Sequence, residues 1–332
     1  MVYFSHYITA IQPERQSHLL FCWIEKVGCT SFKKLLQPHR IQLRKIFTPS
    51  SPNERKLKLD QIYSKIFHNK TWHKALFYRE PLERFLSGYL DKCVKEPARV
   101  YCIRVFGSNQ TTFDEAVRHL LHQDPNKFDA HFHHQIDHCG GLSNNLQYFD
   151  TVELLDPASS REMVGKMLQK ANMTSIHYDK LYPSQRSAGA IGHRTNANKI
   201  MEEYYANIKH VGIVTNFFYE DYTILNIPLP SFAVQALLEL NRTMDEFRLP
   251  LNRLERLLDI TSTQRQEESA FKKIGGTAAG TADDATSYFS YSQKYYSDEK
   301  SVYIYILTIT LIIFLLFLWK RRIDFRKRFK RI

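Results

Sequence analysis

"CWIEKVGCTSFKK", residues Cys22 to Lys34, sets a Lys, a Gly and a Thr in one short turn. Before it, His18 to Ile24 (HLLFCWI) is a nearly continuous apolar run of the kind a buried strand shows. After it, Ser31 to Leu36 reads as a helical turn that Pro38 discourages from continuing. A strand that turns straight into a helix start aims unpaired backbone N–H groups, and the positive end of the helix dipole, at one point in space. That point is an anion site. Lys26 and Lys33 flank it with mobile charge, Gly28 lets the backbone approach closely, and the Thr30 hydroxyl is a donor for an oxyanion. A plain basic loop after a strand fits the same residues, because no full G-x-x-x-x-G-K-S/T sequence is present.

A second unit of this kind follows at Lys74 to Tyr89, KALFYREPLERFLSGY. Ala75 to Tyr78 is strand-like, Pro81 sits where a first helical turn tolerates it, and Leu82, Phe85, Leu86, Tyr89 and Leu90 trace an amphipathic face. Arg79 ends the strand and Ser87 lies about two turns along the helix. A guanidinium and a hydroxyl so placed close on one phosphate if the turn folds Arg79 back over the helix. The simpler alternative pairs Arg79 with Glu83 on the surface.

Together, "EKVGCTSFKK" and "REPLERFLS" resemble the 5′-phosphosulfate loop (P-K-V-A/G-C-T-x-W/F-K) and the 3′-phosphate motif (R-x-P-x-x-R-x-x-S) of the Golgi carbohydrate sulfotransferases. The branch they resemble holds the chondroitin and dermatan 4-O-sulfotransferases and the HNK-1 sulfotransferase. "HFHHQIDHC" (His131 to Cys139) is similar to that branch's H-W-x(6)-C segment, "YFDTVELLD" (Tyr148 to Asp156) to one of its strands, and "KIMEEYY" with "FYEDYTILNIP" to its C-terminal motif. The resemblance covers roughly Leu19 to Pro228, with Glu25 in place of Pro, Ser31 in place of Asn or Gln, and Phe132 in place of Trp. Glu25 adds a carboxylate beside the anion loop and is expected to face away from it.

The resemblance implies a three-layer, P-loop-like α/β sulfotransferase fold with a mostly parallel sheet, which the strand-turn-helix units also favour. It implies the donor 3′-phosphoadenosine 5′-phosphosulfate as co-substrate, a glycan acceptor such as chondroitin, and no metal. Lys26 then stabilises the leaving bridging oxygen. Gly28, Cys29, Thr30, Ser31, Phe32 and Lys33 form the loop that holds the 5′-phosphate, Arg79 and Ser87 hold the 3′-phosphate, and Arg194 with Thr195 in "GHRTNANK" makes a later contact or only a loop. His131 matches the family's histidine and is read as general base. A zinc site in "HFHHQIDHCGG" is disfavoured by its spacing. A kinase-like nucleotide binder lacks its loop sequence, and an inactive glycan-binding relative stays open.

The formal charge is +12, but Lys320 to Ile332 carries eight basic residues and one Asp, so +7 sits in that tail and +5 on everything before it. A nucleic-acid partner loses most of its support. Val302 to Trp319 is an uncharged run of 18 residues, about 27 Å long as a helix, and is read as a transmembrane anchor with the basic tail cytosolic. Residues 1 to 300 are then lumenal, in the Golgi, with sequons at Asn69, Asn109, Asn172 and Asn241. The opening "MVYFSHYITAIQPERQ" is too short and polar for a signal-peptide core, whereas the family typically has an N-terminal anchor.

The expected organisation is a catalytic domain over 1–230, a helical closing segment over 231–263, a flexible stalk over 264–300, a transmembrane helix over 301–319 and the tail over 320–332. Phe113, Ala116, Val117, Leu120 and Leu121 mark a helix, and Ser159 with Glu162 reads as a capping box. Among five cysteines, Cys93 and Cys102 are the expected disulfide, Cys22 and Cys29 are expected as buried thiols, and Cys139 as free because its family partner is missing.

Overall fold

The computed structural model describes residues 8–12, 17–41, 59–95, 99–123, 128–156, 159–182, 197–243 and 246–275. The chain divides into two compact units, Met1–Ala270 and Phe271–Ile332. The sheet and the site belong to the first, and the described part of the second is the end of one helix. No helix among the described residues is long and apolar enough to cross a membrane. Val302 to Trp319 and the basic tail lie outside the described residues.

Five strands form one sheet: β1 (Ile8–Ile11), β2 (Leu19–Cys22), β3 (Arg40–Ile41), β4 (His73–Tyr78) and β5 (Thr151–Leu154), in the order β3-β1-β2-β4-β5. β2, β4 and β5 run parallel, but β1 pairs antiparallel with both β2 and β3. The expected mostly parallel sheet is thus a mixed one. The reason is local: β1 and β2 are joined by a short connection, which allows only a hairpin-like return, whereas β2 and β4 are separated by a long crossover.

Side-chain alternation puts Phe21, Ala75 and Phe77 on one face, where Phe32 packs 4.6 Å from Phe21 and 5.0 Å from Phe77 between ring centroids. The opposite face carries Cys22, which is disulfide-bonded to Cys139. Both faces are therefore covered, as the fully buried β2 requires. This bond corrects two expectations, since Cys22 is not a thiol and Cys139 is not free. Sequence distance hid it: the partners are 117 positions apart in sequence, and only the fold brings them together. Cys93–Cys102 forms as expected, and Cys29 is a free thiol.

The helices are α1 (Cys29–Leu36), α2 (Leu59–Phe67), α3 (Pro81–Tyr89), α4 (Arg99–Phe106), α5 (Phe113–His119), α6 (Leu142–Asn145), α7 (Ser160–Lys170), α8 (Ala197–Tyr204), α9 (Ile208–Phe217), α10 (Tyr219–Ile224), α11 (Ser231–Thr243) and α12 (Leu251–Gly275). α3 is buried along its whole length and packs against α8 and α9. The capping box lies at α5, where Thr112 and Glu115 cap each other. At α7 Ser159 makes no such bond; its hydroxyl donates to Asp156 instead, while Glu162 pairs with Lys166. Leu254, Leu257 and Ile260 of α12 are buried, and the Leu229 N–H donates to Thr261 Oγ1 at 3.0 Å. The compact unit thus takes in the segment expected to close it, and α12 continues helical past residue 263.

The start of α3 couples stability to pH. Glu80 caps the helix by accepting from the Glu83 N–H and also accepts from the Tyr222 hydroxyl. Desolvation outweighs those bonds and pushes its carboxyl up to about 7. Between the ordinary value and 7 the folded chain holds a proton that the unfolded chain has released, so stability falls as pH rises through this window. The loss is about 3 kcal/mol at most. Denaturant melts of Glu80→Gln should show a flatter stability profile from pH 5 to pH 8 than the parent; equal slopes would exclude Glu80 as the source.

Candidate active site

The turn after β2 is tight and carries two left-handed residues. Val27 N–H closes on Ile24 O at 3.3 Å, and Lys26 and Gly28 both take left-handed backbone angles, φ 68° and 64°. For Lys26 this is a strained conformation of the kind that concentrates at functional positions. Gly28 is required twice over, because a Cβ there would lie 2.8 Å from Leu155 at the end of β5. α1 begins at Cys29 with no side-chain cap, and the Ser31 and Phe32 N–H groups both donate to Gly28 O at 3.0 Å. Thr30 and Lys33 are exposed beside this helix start.

The Phe32 ring belongs to the core. Glu25 is half-buried; burial, with the Glu25 carboxylate adding to it, pushes the Cys29 thiol up to about 12, and that thiol donates to Ile24 O at 3.0 Å.

Lys26 Nζ is 3.0 Å from Asp91 Oδ2, and burial lowers its pKa against the opposing pull of that carboxylate. Arg79 does fold back, donating to Lys26 O at 3.2 Å and to Glu83 Oε1 at 2.6 Å. The Arg79–Glu83 pair is therefore real but largely buried rather than on the surface, with side chains 18% and 10% exposed. Ser87 follows Glu83 by one turn on α3 and is buried. Arg194 and Thr195 lie outside the described residues.

His131 sits in the loop after α5, with its Nδ1 2.6 Å from Asp129 Oδ1. The second oxygen of Asp129 accepts from Arg104 at 2.9 Å. Burial works against the Asp129 carboxylate, yet the hydrogen bonds from His131 and Arg104 outweigh it and hold its pKa well below the usual range. An imidazole anchored through Nδ1 keeps Nε2 for a proton arriving from elsewhere. Phe132, standing in for the family's Trp, is buried against Gly88, whose Cβ would meet its ring at 2.7 Å. Among the described residues no group of three His, Cys, Asp or Glu side chains could hold a metal ion.

Arg84 joins the two halves. Its fully buried guanidinium donates to Glu25 O at 2.9 Å, His133 O at 2.6 Å and Ala130 O at 3.3 Å, so one side chain holds both the Lys26 turn and the His131 loop. Asp221 supports that loop from behind, accepting from the Gln135 and Ile136 N–H groups at 3.0 Å each, while Gln135 exchanges two 2.8 Å bonds with the Arg79 backbone. Both residues stand inside motifs the sequence displays, the second Arg of "REPLER" and the Asp of "FYEDY". A role for Asp91, Lys92, Tyr101, Arg104 and Asp129 had no sequence signal beyond lying near Cys93 and Cys102 or His131. Arg84→Lys leaves two of three buried carbonyls without a donor and should cost about 2–3 kcal/mol in denaturant unfolding. A loss below about 0.5 kcal/mol would mean the three carbonyls find other partners.

A family model described as "Sulfotransferase family" matches residues 10–227, the span that holds β2 to β5, the Lys26 turn, Arg79, Arg84 and His131. The chain belongs to the sulfotransferase family. Similar relatives include human carbohydrate sulfotransferase 9, 24% identical over 247 residues covering 68% of this chain and 54% of that protein. Human carbohydrate sulfotransferase 14 is 24% identical over 157 residues, 41% of each chain. A Caenorhabditis elegans protein named putative sulfotransferase vep-2 is 29% identical over 133 residues, 36% of this chain and 40% of that one. The chain spans about half the length of the curated relatives it matches. No solved structure gives a significant match.

Proposed function

We propose that the protein transfers a sulfuryl group from 3′-phosphoadenosine 5′-phosphosulfate to a hydroxyl of a glycan, a glycosaminoglycan such as chondroitin being the acceptor class favoured by the motifs. The observation that carries this reading is the buried Arg84, which ties the Lys26 turn to the loop bearing His131. A cation and an oriented imidazole are thereby held in one assembly. In the transfer, the acceptor oxygen forms a bond to sulfur, the bond from sulfur to the 5′-phosphate oxygen breaks, and the hydroxyl proton passes to His131 Nε2. Lys26 meets the charge that gathers on the departing oxygen, α1 offers its uncapped N–H groups to the 5′-phosphate, and Arg79 with Ser87 receives the 3′-phosphate.

A Golgi position, lumenal and anchored through Val302 to Trp319, is part of the proposal. Two disulfides support an oxidising compartment, and Asn69, Asn109 and Asn172 are exposed. The test is a transfer assay on the purified full-length chain with labelled donor and a panel of chondroitin, dermatan, heparan and N-glycan acceptors, run beside Arg79→Ala. Transfer that weakens in the variant through a higher donor KM supports the assignment. A folded protein that binds no 3′-phosphoadenosine 5′-phosphate would refute it, and one that binds the nucleotide but sulfates nothing would favour the inactive relative.

A further inference from the structure

One cation stands at the solvent edge of the His131 dyad. The Arg104 side chain is 64% exposed and its Nη2 donates to Asp129 Oδ2 at 2.9 Å, while His131 holds Oδ1 of the same carboxylate at 2.6 Å. Imidazole and guanidinium therefore sit side by side across one Asp. The guanidinium also lies 4.6 Å from the centroid of the Tyr101 ring, and Lys92 Nζ lies 4.5 Å from the same centroid.

This rim is stiff. Leu90–Val94 continues α3 as a π-helical turn, and the Cys93–Cys102 bridge joins the residue after Lys92 to the residue after Tyr101. Val100 and Ile103, 72% and 48% exposed, add apolar surface beside the cations. A guanidinium has five donors in a planar fork, and most of this one is open to solvent. Held against an aromatic ring it is already ordered, so less freedom is lost when an oxyanion docks.

We propose that Arg104 binds a carboxylate or sulfate on the sugar adjacent to the one whose hydroxyl faces His131, and thereby selects acidic glycans. The inference rests on the sulfotransferase reading above. A hydroxyl seated at His131 leaves the neighbouring sugar over this rim, and the fork suits a planar carboxylate or two sulfate oxygens.

The test uses the full-length protein, its Arg104→Gln and Arg104→Lys variants, and three probes. These are an unsulfated chondroitin hexasaccharide, its carboxyl-reduced counterpart, and a sulfated oligosaccharide without uronate. Affinity for 3′-phosphoadenosine 5′-phosphate is measured first. Arg104→Gln should raise the KM of the acidic probes about tenfold and cut the acidic-to-neutral ratio of kcat/KM by a similar factor, with partial recovery in Arg104→Lys. Whether the hexasaccharide or the sulfated probe suffers more identifies the anion. Equal losses on all three probes would mean that Arg104 acts only through Asp129, and would overturn the proposal. So would a parent enzyme with no preference for the acidic probes, an outcome that leaves the sulfotransferase assignment standing. If no probe is turned over, calorimetric binding to the nucleotide complex gives the same ranking, and no binding of the acidic probes overturns the proposal. Failure to bind the nucleotide removes the assignment and this inference together.

Discussion

Lys26→Met is expected to lower sulfuryl transfer by about 10²–10³-fold, the range seen when one preorganised donor to developing charge is removed. Nucleotide binding should weaken far less. The difference follows from what the lysine meets: in the ground state the bridging oxygen carries little charge, and only as the bond to sulfur lengthens does a fixed ammonium gain on it. Burial favours this role, because a poorly hydrated ammonium interacts more strongly with charge appearing beside it. Single-turnover rates with labelled donor, set beside calorimetric affinity for 3′-phosphoadenosine 5′-phosphate, separate the two effects. A variant that raises donor KM and leaves kcat intact would make Lys26 a binding residue and nothing more.

Removing the Cys22–Cys139 bridge should be the most damaging change to stability. With its ends 117 positions apart in sequence, chain-entropy arithmetic assigns it about 5 kcal/mol, against about 2–3 kcal/mol for the Cys93–Cys102 bridge, whose ends are 9 apart. A loss of this size is a large part of the stability of an ordinary domain. The bridge also fixes the end of β2, just ahead of the Glu25–Lys26 turn, to the end of the His131 segment. The Cys22→Ala, Cys139→Ala double variant should therefore melt at lower denaturant than the Cys93→Ala, Cys102→Ala pair and lose activity before it unfolds. Equal midpoints for the two pairs would contradict the loop-length argument.

The two strand-turn-helix units were legible because each is local: apolar run, turn chemistry and amphipathic helix fall within about sixteen residues. Lys26, Gly28, Arg79, Ser87 and His131 stand out as candidates for the same reason, each standing in a short motif. What stayed hidden depends on contacts between distant segments. The antiparallel β1 has no pattern that distinguishes it from a parallel strand, and Cys139 finds Cys22 only once the sheet exists. Arg84 was visible as a motif residue, but its three carbonyl partners come from two other loops. Asp91 and Asp129 carry no motif at all. The Ser159 expectation failed because its hydroxyl is turned to Asp156 and Glu162 pairs with Lys166, so neither side chain caps the helix backbone.

Two of the cations proposed for the donor already hold carboxylates of their own, Lys26 with Asp91 and Arg79 with Glu83. An incoming anion therefore has to exchange partners rather than fill an empty charge. A monovalent or small divalent ion such as inorganic sulfate can displace one internal counter-ion at most, and gains little from doing so. A ligand with phosphate groups at both ends of a ribose displaces the two at once. If these residues take the donor as proposed, the carboxylates are built-in competitors that would disfavour simple salts and speed departure of the spent nucleotide. They also make binding less sensitive to ionic strength than the count of positive side chains alone would imply.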